Sequence, residues 1–145
     1  MTSKTKKIVS VILIILIVGA AAGYLMWNKP HLNVSGAKAV KIEAAILYNS
    51  FIADSTAANK NFVQQVLEIS GTVNGISKNQ QNQTVVLLKT ALEGASVNCT
   101  FEEQVDTIAV GSRVKIKGIC SGMGQGDADL GIMGDLYLVR CYLVK

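Results

Sequence analysis

The chain has 145 residues, among them 14 Lys or Arg, 10 Asp or Glu, one His and three Cys. This length suits one domain, which excludes an enzyme with separate cofactor and substrate domains. Half of the residues are apolar, but Phe, Trp and Tyr make up only 6%. This composition excludes intrinsic disorder and indicates a dense aliphatic block.

That block is a run of twenty uncharged residues from Ile8 to Trp27. A helix of this length spans about 30 Å of hydrocarbon at about 1.5 Å per residue, so we predict a transmembrane helix. The alternative is a cleaved signal peptide, with the lysines of 4–7, an apolar stretch at 8–18 and an alanine cleavage site at 20–22. The apolar run continues past that site to Trp27, which favours the uncleaved anchor.

The lysines near the block give the orientation only partly, because three of them lie on each side of it. Counted equally, they leave the positive-inside rule tied. Lys6 and Lys7 adjoin the start of the run, whereas only Lys29 is close to its end. We therefore expect a cytoplasmic amino terminus, a single pass through a bacterial inner membrane and an exported domain.

The predicted organisation is a basic tail over 1–7, the membrane helix over 8–27, a linker over 28–41 and a folded domain over 42–145. The formal charge of +4 divides unevenly, because residues 1–42 hold six Lys and no acid. The remaining residues, 43–145, hold eight bases and ten acids. Nucleic-acid binders draw much of their affinity from clustered bases, so this balance argues against nucleic acid as the partner.

The domain begins with helical periodicity and then changes to a period of two. Helical segments are predicted over 42–51 and 57–62. Alternating apolar residues predict five strands, over 66–73, 84–88, 96–101, 113–120 and 135–144. A half-buried sheet of such short strands covers its core and its edges by closing, so the predicted fold is mainly β, a five-stranded OB-fold barrel behind a helical segment.

Four stretches of the domain carry a family resemblance. They are 51–73, with an Ala-Asn pair before a strand that contains Gly71, then 97–101, then 110–122, with Gly118-x-Cys120-x-Gly122, and 135–141. Together they resemble the tRNA-anticodon-binding-like OB-fold family of small bacterial proteins. The resemblance implies the fold of anticodon-binding domains and a membrane or export segment, but no established activity. The long loop over 121–134 departs from the family pattern.

The three cysteines fall on the inward positions of their strands. Cys99, Cys120 and Cys141 are therefore either buried small hydrophobic residues or, in an exported domain, candidates for one disulfide. A hairpin around the loop 121–134 would set Cys120 opposite Asp135, about 20 Å from Cys141 at about 3.4 Å per residue. That distance disfavours the pair of Cys120 with Cys141 and leaves Cys99 with either partner.

The candidate ligand-binding residues lie on two polar loops and on the last two strands, because such loops border the usual ligand face of an OB-fold. They are Lys78, Asn79, Gln80, Lys115, Lys117, Gln125, Asp127, Asp129 and Tyr137. The simpler alternative is a solvated loop and a solvated strand face. Asp127 and Asp129 begin like a calcium loop but lack its later ligands, so we predict neither a metal nor a cofactor.

Catalysis is not expected, because the only His, His31, lies in the linker and cannot serve a nucleophile as base. We predict a membrane-anchored binding or adaptor domain of the cell envelope, monomeric in its soluble part, for a protein, peptide or glycan ligand. One alternative is nucleic-acid binding, with rings from Tyr137 and Tyr142 and charge from Lys115, Lys117 and Arg140. The other is a purely structural envelope protein.

Overall fold

The computed structural model describes residues 3–28 and 33–145, and the chain divides into two compact units, Met1–Asn33 and Val34–Lys145. The first unit is helix α1 (Ser3–Trp27), whose mean hydropathy reaches 2.7. It is long and apolar enough to cross a membrane, a test that a signal sequence at this position would also pass. Part of the predicted linker, 29–32 with His31, lies outside the described residues.

The second unit holds two helices and six strands. They are β1 (Val40–Glu43), α2 (Ala44–Ala53), α3 (Ser55–Phe62), β2 (Val66–Lys78), β3 (Thr84–Lys89), β4 (Ser96–Phe101), β5 (Arg113–Met123) and β6 (Leu136–Leu143). Helix α2 begins at Ala44, two residues after the start of the predicted helix over 42–51. The reason is that Ile42 and Glu43 belong to β1, where they pair with Ile69 and Ser70 of β2 as a short parallel strand.

Five of the strands close into the predicted barrel. The sheet order is β1-β2-β3-β4-β6-β5, and β5 returns to pair with β2. Within the barrel only β4 and β6 run parallel, and β1 is added outside it against β2. This is the OB-fold arrangement, so the fold predicted from the sequence is confirmed.

The long strand β2 serves both halves of the barrel. Its first half pairs with β5 and its second half with β3, with a register shift between Val73 and Gly75. At Gly71 an added Cβ would lie 3.1 Å from the Cβ of Ala44. The glycine in the middle of the strand therefore lets α2 approach the barrel closely.

The two helices complete the core of the barrel. Leu47, Tyr48 and Phe51 of α2 are buried in the same cluster as the inward residues of the strands. Full burial of an apolar side chain of this size is worth about 2 kcal/mol, so α2 is an integral part of the domain. Helix α3 begins at a cap in which the Ala57 amide donates to Asp54 Oδ1 over 3.0 Å.

The connection between β5 and β6, residues 124–135, is called the β5–β6 loop below. It begins later than the predicted loop over 121–134 and contains a hydrogen-bonded turn. β5 continues to Met123, and Asp127 and Ile132 exchange two backbone hydrogen bonds of 2.8 Å. At Gly126 an added Cβ would lie 2.4 Å from the Ile132 carbonyl oxygen. Glycine is needed at position 126 because the two halves of the loop approach each other more closely than any side chain permits.

Candidate functional site

The outer surface of strands β3, β4 and β6 carries no charged residue at its centre. We call it the neutral face, and it consists of Val85, Leu87, Asn98, Thr100, Tyr137 and Val139. These positions alternate with buried residues of the same strands. Tyr137 and Val139 are the most open, with 42% and 38% of their surface exposed. The loop 79–83 between β2 and β3 and the β5–β6 loop follow the strands that flank this face, which is where OB-folds bind their ligands.

A polar network joins the neutral face to the end of the β5–β6 loop. Asp135 accepts from the Ser96 amide over 2.9 Å and from Asn98 Nδ2 over 3.1 Å. Next to Asn98 in register lie Leu87 on one side and Tyr137 on the other. Asn98 Oδ1 is buried and has no hydrogen-bond partner among the described residues, a costly arrangement for an acceptor.

The outer surface of β1, β2 and β5 is different, because charged residues alternate on it. We call it the charged face, and it consists of Lys41, Glu43, Glu68, Arg113, Lys115 and Lys117. Glu68 pairs in register with Lys41 on one side and Lys117 on the other. Arg113 forms an ion pair with Glu43. The acidic residues are therefore placed among the basic ones, and the cations do not form an uninterrupted patch.

The candidate ligand residues from the sequence are spread over both faces. Only Tyr137 lies on the neutral face, whereas Lys115 and Lys117 lie on the charged face, away from it. Lys117 Nζ donates to the Ser35 carbonyl over 3.1 Å, so it also fixes the segment before β1. Val85, Leu87 and Val139 were not among the candidates, since uncharged aliphatic residues in a strand give no sign that they face outward.

The candidates in the two loops mostly shape the loops themselves. Asn79 Oδ1 accepts from the amides of Gln81 and Gln83, over 3.0 and 2.9 Å, and so builds the turn after β2. In the second loop Asp127 Oδ1 accepts from the amides of Asp129 and Leu130. The candidates Lys78, Gln80, Gln125 and Asp129 are exposed beside these turns.

The comparisons with known proteins bear on most of the chain. The family model named tRNA_anti-like matches residues 1–130. The chain belongs to this family. The resemblance inferred from the sequence is thereby confirmed, and the tRNA_anti-like OB-fold is a binding domain. No curated protein matches the chain.

The tRNA_anti-like chain is also similar to solved structures. One is a protein described as an aspartyl-tRNA synthetase from Leishmania major Friedlin, with 14% sequence identity and a TM-score of 0.43. The match covers 87% of this chain and 25% of that chain. The chain thus spans about a quarter of the length of that protein.

The three cysteines of this tRNA_anti-like domain are fully buried. The register of the last hairpin differs from the expected one, because Cys120 lies opposite Leu138 and not Asp135. The reason is the continuation of β5 past Cys120. Cys141 is therefore three residues along β6 from the partner of Cys120, about 10 Å at about 3.4 Å per residue, half the expected separation.

Among the titratable groups of the domain whose pKa values are shifted, Tyr142 and Cys120 illustrate two different causes. Tyr142 donates to Glu102, and this hydrogen bond, together with the negative charge of that carboxylate, raises the pKa of the Tyr142 phenol. Burial raises the pKa of the Cys120 thiol. Within the described residues no three His, Cys, Asp or Glu side chains gather as a metal site.

Proposed function

We propose that this protein is a membrane-anchored binding module of the bacterial cell envelope, with helix α1 as an uncleaved anchor and the OB-fold domain exported. In this proposal the domain takes no part in catalysis and engages a protein, peptide or glycan through the neutral face. Its soluble part is a monomer. The linker and the basic amino-terminal segment serve only to tether and orient it.

The observation that carries this proposal is the absence of charge from the neutral face. OB-folds that hold single strands combine a cationic groove with several exposed rings. The neutral face offers one such ring, Tyr137, and no Lys or Arg at its centre. Lys89 lies at the end of β3 and Arg140 near the end of β6, and Arg140 is paired with Glu102. Apolar contacts with Val85, Leu87 and Val139 suit a protein or peptide surface better than a phosphate backbone.

Site-specific crosslinking in cells tests the proposal. The full chain is made with photoreactive benzoylphenylalanine in place of Tyr137 and, as the matched control, in place of Glu68 on the charged face. We expect a discrete adduct, whether with a protein, a peptide or a glycan, from position 137 and none from position 68. Equal adducts from both positions, or no adduct from either, would contradict the neutral face as the binding surface.

Nucleic-acid binding is the second candidate, and membership of the tRNA_anti-like family favours it. It is tested with the detergent-solubilised full chain and a labelled single-stranded RNA. On our proposal binding is weak and disappears at physiological salt. Tight, salt-dependent binding would establish the nucleic-acid function instead. In that case the logarithm of the binding constant falls with the logarithm of the salt concentration, with a slope of about −0.7 for each of several contacted phosphates.

A further inference from the structure

The segment that leads into the OB-fold domain is fixed to the charged face. Val34, where the domain begins, is buried. The next carbonyl, that of Ser35, accepts a hydrogen bond of 3.1 Å from Lys117 Nζ. Ser35 and Lys117 also line one cleft together with Glu68. The chain therefore enters the domain on the charged face.

The short connection before Val34 limits how far the charged face can lie from the anchor. Residues 28–33 are all that separates Trp27, at the end of α1, from Val34. A fully extended chain of this length spans at most about 25 Å, at about 3.6 Å per residue. With α1 as an uncleaved anchor, the charged face is kept at a high effective concentration near the bilayer, where even a weak attraction orients the domain.

The charges of the domain are unevenly distributed. Residues 34–145 hold ten Lys or Arg and ten Asp or Glu, so their formal charges cancel. The charged face and the segment that enters it hold five of these bases and two of these acids, namely Lys38, Lys41, Arg113, Lys115, Lys117, Glu43 and Glu68. The rest of the domain holds five bases and eight acids. The side on which the chain enters is thus cationic, and the remainder is acidic.

Carboxylates on this side balance much of its charge, but not all of it. Both acids lie beside cations of the same face, as described above. Lys115, in contrast, is exposed and pairs in register with the uncharged Ser70 of β2. Lys38 is exposed as well. A surplus of this size attracts a freely diffusing partner only weakly, but it suffices for a surface to which the domain is already tethered.

We infer that the charged face docks on the anionic phospholipid headgroups of the membrane that holds α1. The inference rests on the uncleaved anchor of the proposed function. Anionic headgroups attract Lys and Arg side chains near the surface, and the attraction decays within a Debye length of about 8 Å at physiological salt. Single-stranded nucleic acid fits this face less well, because none of the residues that define it carries an aromatic ring.

Docking of the charged face leaves the neutral face accessible. The charged face lies on β1, β2 and β5, whereas the neutral face lies on β3, β4 and β6. Its central strand, β4, pairs with neither β2 nor β5. The two faces are therefore on different sides of the barrel, and a domain oriented by its cations presents the neutral face to ligands in solution.

The test measures energy transfer from a single tryptophan of the full chain to dansyl-labelled headgroups in vesicles. Trp27→Phe removes the only natural tryptophan. Thr72→Trp, at the register partner of Arg113, or Val139→Trp then places a new one on the side of the charged or the neutral face. In vesicles of phosphatidylcholine with phosphatidylglycerol, we expect more transfer from position 72 than from position 139. This difference should shrink without phosphatidylglycerol and in about 1 M salt, where the Debye length falls to about 3 Å.

Two matched pairs of substitutions show whether the cations of the charged face cause the difference. Lys41→Gln with Lys115→Gln should reduce it to the value in phosphatidylcholine alone, whereas Lys60→Gln with Lys89→Gln, which removes two cations elsewhere, should not. Lys117 stays unchanged because it holds the entering segment. Equal effects of the two pairs overturn the docking. Tight RNA binding that Lys41→Gln with Lys115→Gln abolishes would assign the face to nucleic acid and overturns it as well.

Failure of the docking is distinguishable from failure of the anchor. The mass of the chain purified from cells shows whether α1 is retained, and a chain without it contradicts the anchor and the docking together. A chain that retains α1 but gives the same transfer with and without phosphatidylglycerol contradicts the docking alone. Thermal melting checks that each variant is folded, and Ser70→Trp with Val85→Trp provides a second pair of positions for the same comparison.

Discussion

The neutral face and the charged face lie on the same barrel. They differ in how far their charges, hydrogen-bonding groups and apolar side chains find partners within the domain. On the charged face, Glu68 lies between Lys41 and Lys117, and Glu43 pairs with Arg113. That face is largely balanced by its own residues. The neutral face exposes Tyr137 and Val139, and it holds Asn98 Oδ1, which has no hydrogen-bond partner in the described part of the chain. This face therefore has more to gain from a partner.

This difference indicates how a ligand would be selected. A partner recognised by long-range charge would be drawn to the lysines of β5, where nearby carboxylates weaken the attraction. A partner recognised by shape and apolar contact would bind the neutral face, with the two loops at its border. We therefore expect weak salt dependence for the physiological ligand.

The largest effect is expected from a change in the β5–β6 loop, which borders the neutral face. Gly126→Ala places a Cβ against the Ile132 carbonyl oxygen at 2.4 Å, where only backbone movement relieves the clash. We expect a loss of about 3 kcal/mol in the free energy of unfolding, measured by thermal melting. The control Gly94→Ala, at φ 79° in open space, should lose only about 1 kcal/mol. Equal losses of unfolding free energy in Gly126→Ala and Gly94→Ala would mean that the β5–β6 loop is not rigid.

A second prediction converts the neutral face into a basic one. The double variant Val85→Lys with Leu87→Lys should bind single-stranded RNA about tenfold more tightly at low salt, with a log–log salt slope of about −1.4 for two phosphates. The matched variant Val85→Gln with Leu87→Gln carries no charge and should leave the affinity unchanged. If the lysines do not increase the affinity, the shape of the neutral face does not accept single-stranded RNA.

A third prediction concerns Tyr142, which pairs in register with Lys117 of the charged face. Glu102→Gln removes the charge that raises the phenol pKa. Ultraviolet titration of the tyrosines should therefore show the pKa of Tyr142 falling toward its ordinary value. Glu103 contributes less to the shift than Glu102 does, so Glu103→Gln should move the titration less. The opposite order would place the controlling carboxylate at position 103.

The smallest effect is expected on the charged face itself. Glu43→Ala removes the ion pair with Arg113. The side chains of Glu43 and Arg113 are 50% and 66% exposed, respectively. An ion pair this open to water contributes about 0.3 kcal/mol, so the melting temperature should hardly change. A loss above about 1 kcal/mol would show that β1 depends on this contact.

The sequence predicts the barrel well because inward and outward residues alternate in β2, β4 and β5. It hides the neutral face, because Val85, Val86, Leu87 and Leu88 form one apolar run whose two sides cannot be told apart. Tyr137 is predicted from the sequence because it offers an aromatic ring, and its role in binding stays a prediction.

The register of the last hairpin could not be predicted, and the reason is backbone geometry. Gly122 adopts a positive φ of 111° inside β5, and Arg140 does so in β6. Each position shifts the pairing by one residue. A glycine-rich segment such as 121–134 is typical of a flexible loop, so its ordered turn and the extra strand length are visible only in three dimensions.

Membrane topology tests the central claim most directly. A tag is placed after Lys145 of the full chain, and intact cells are treated with a protease that cannot cross the inner membrane. The account predicts that the tag is removed while a cytoplasmic protein in the same cells stays intact. A tag that is cut only after lysis would contradict the exported binding module and favour a cytoplasmic, nucleic-acid-binding domain.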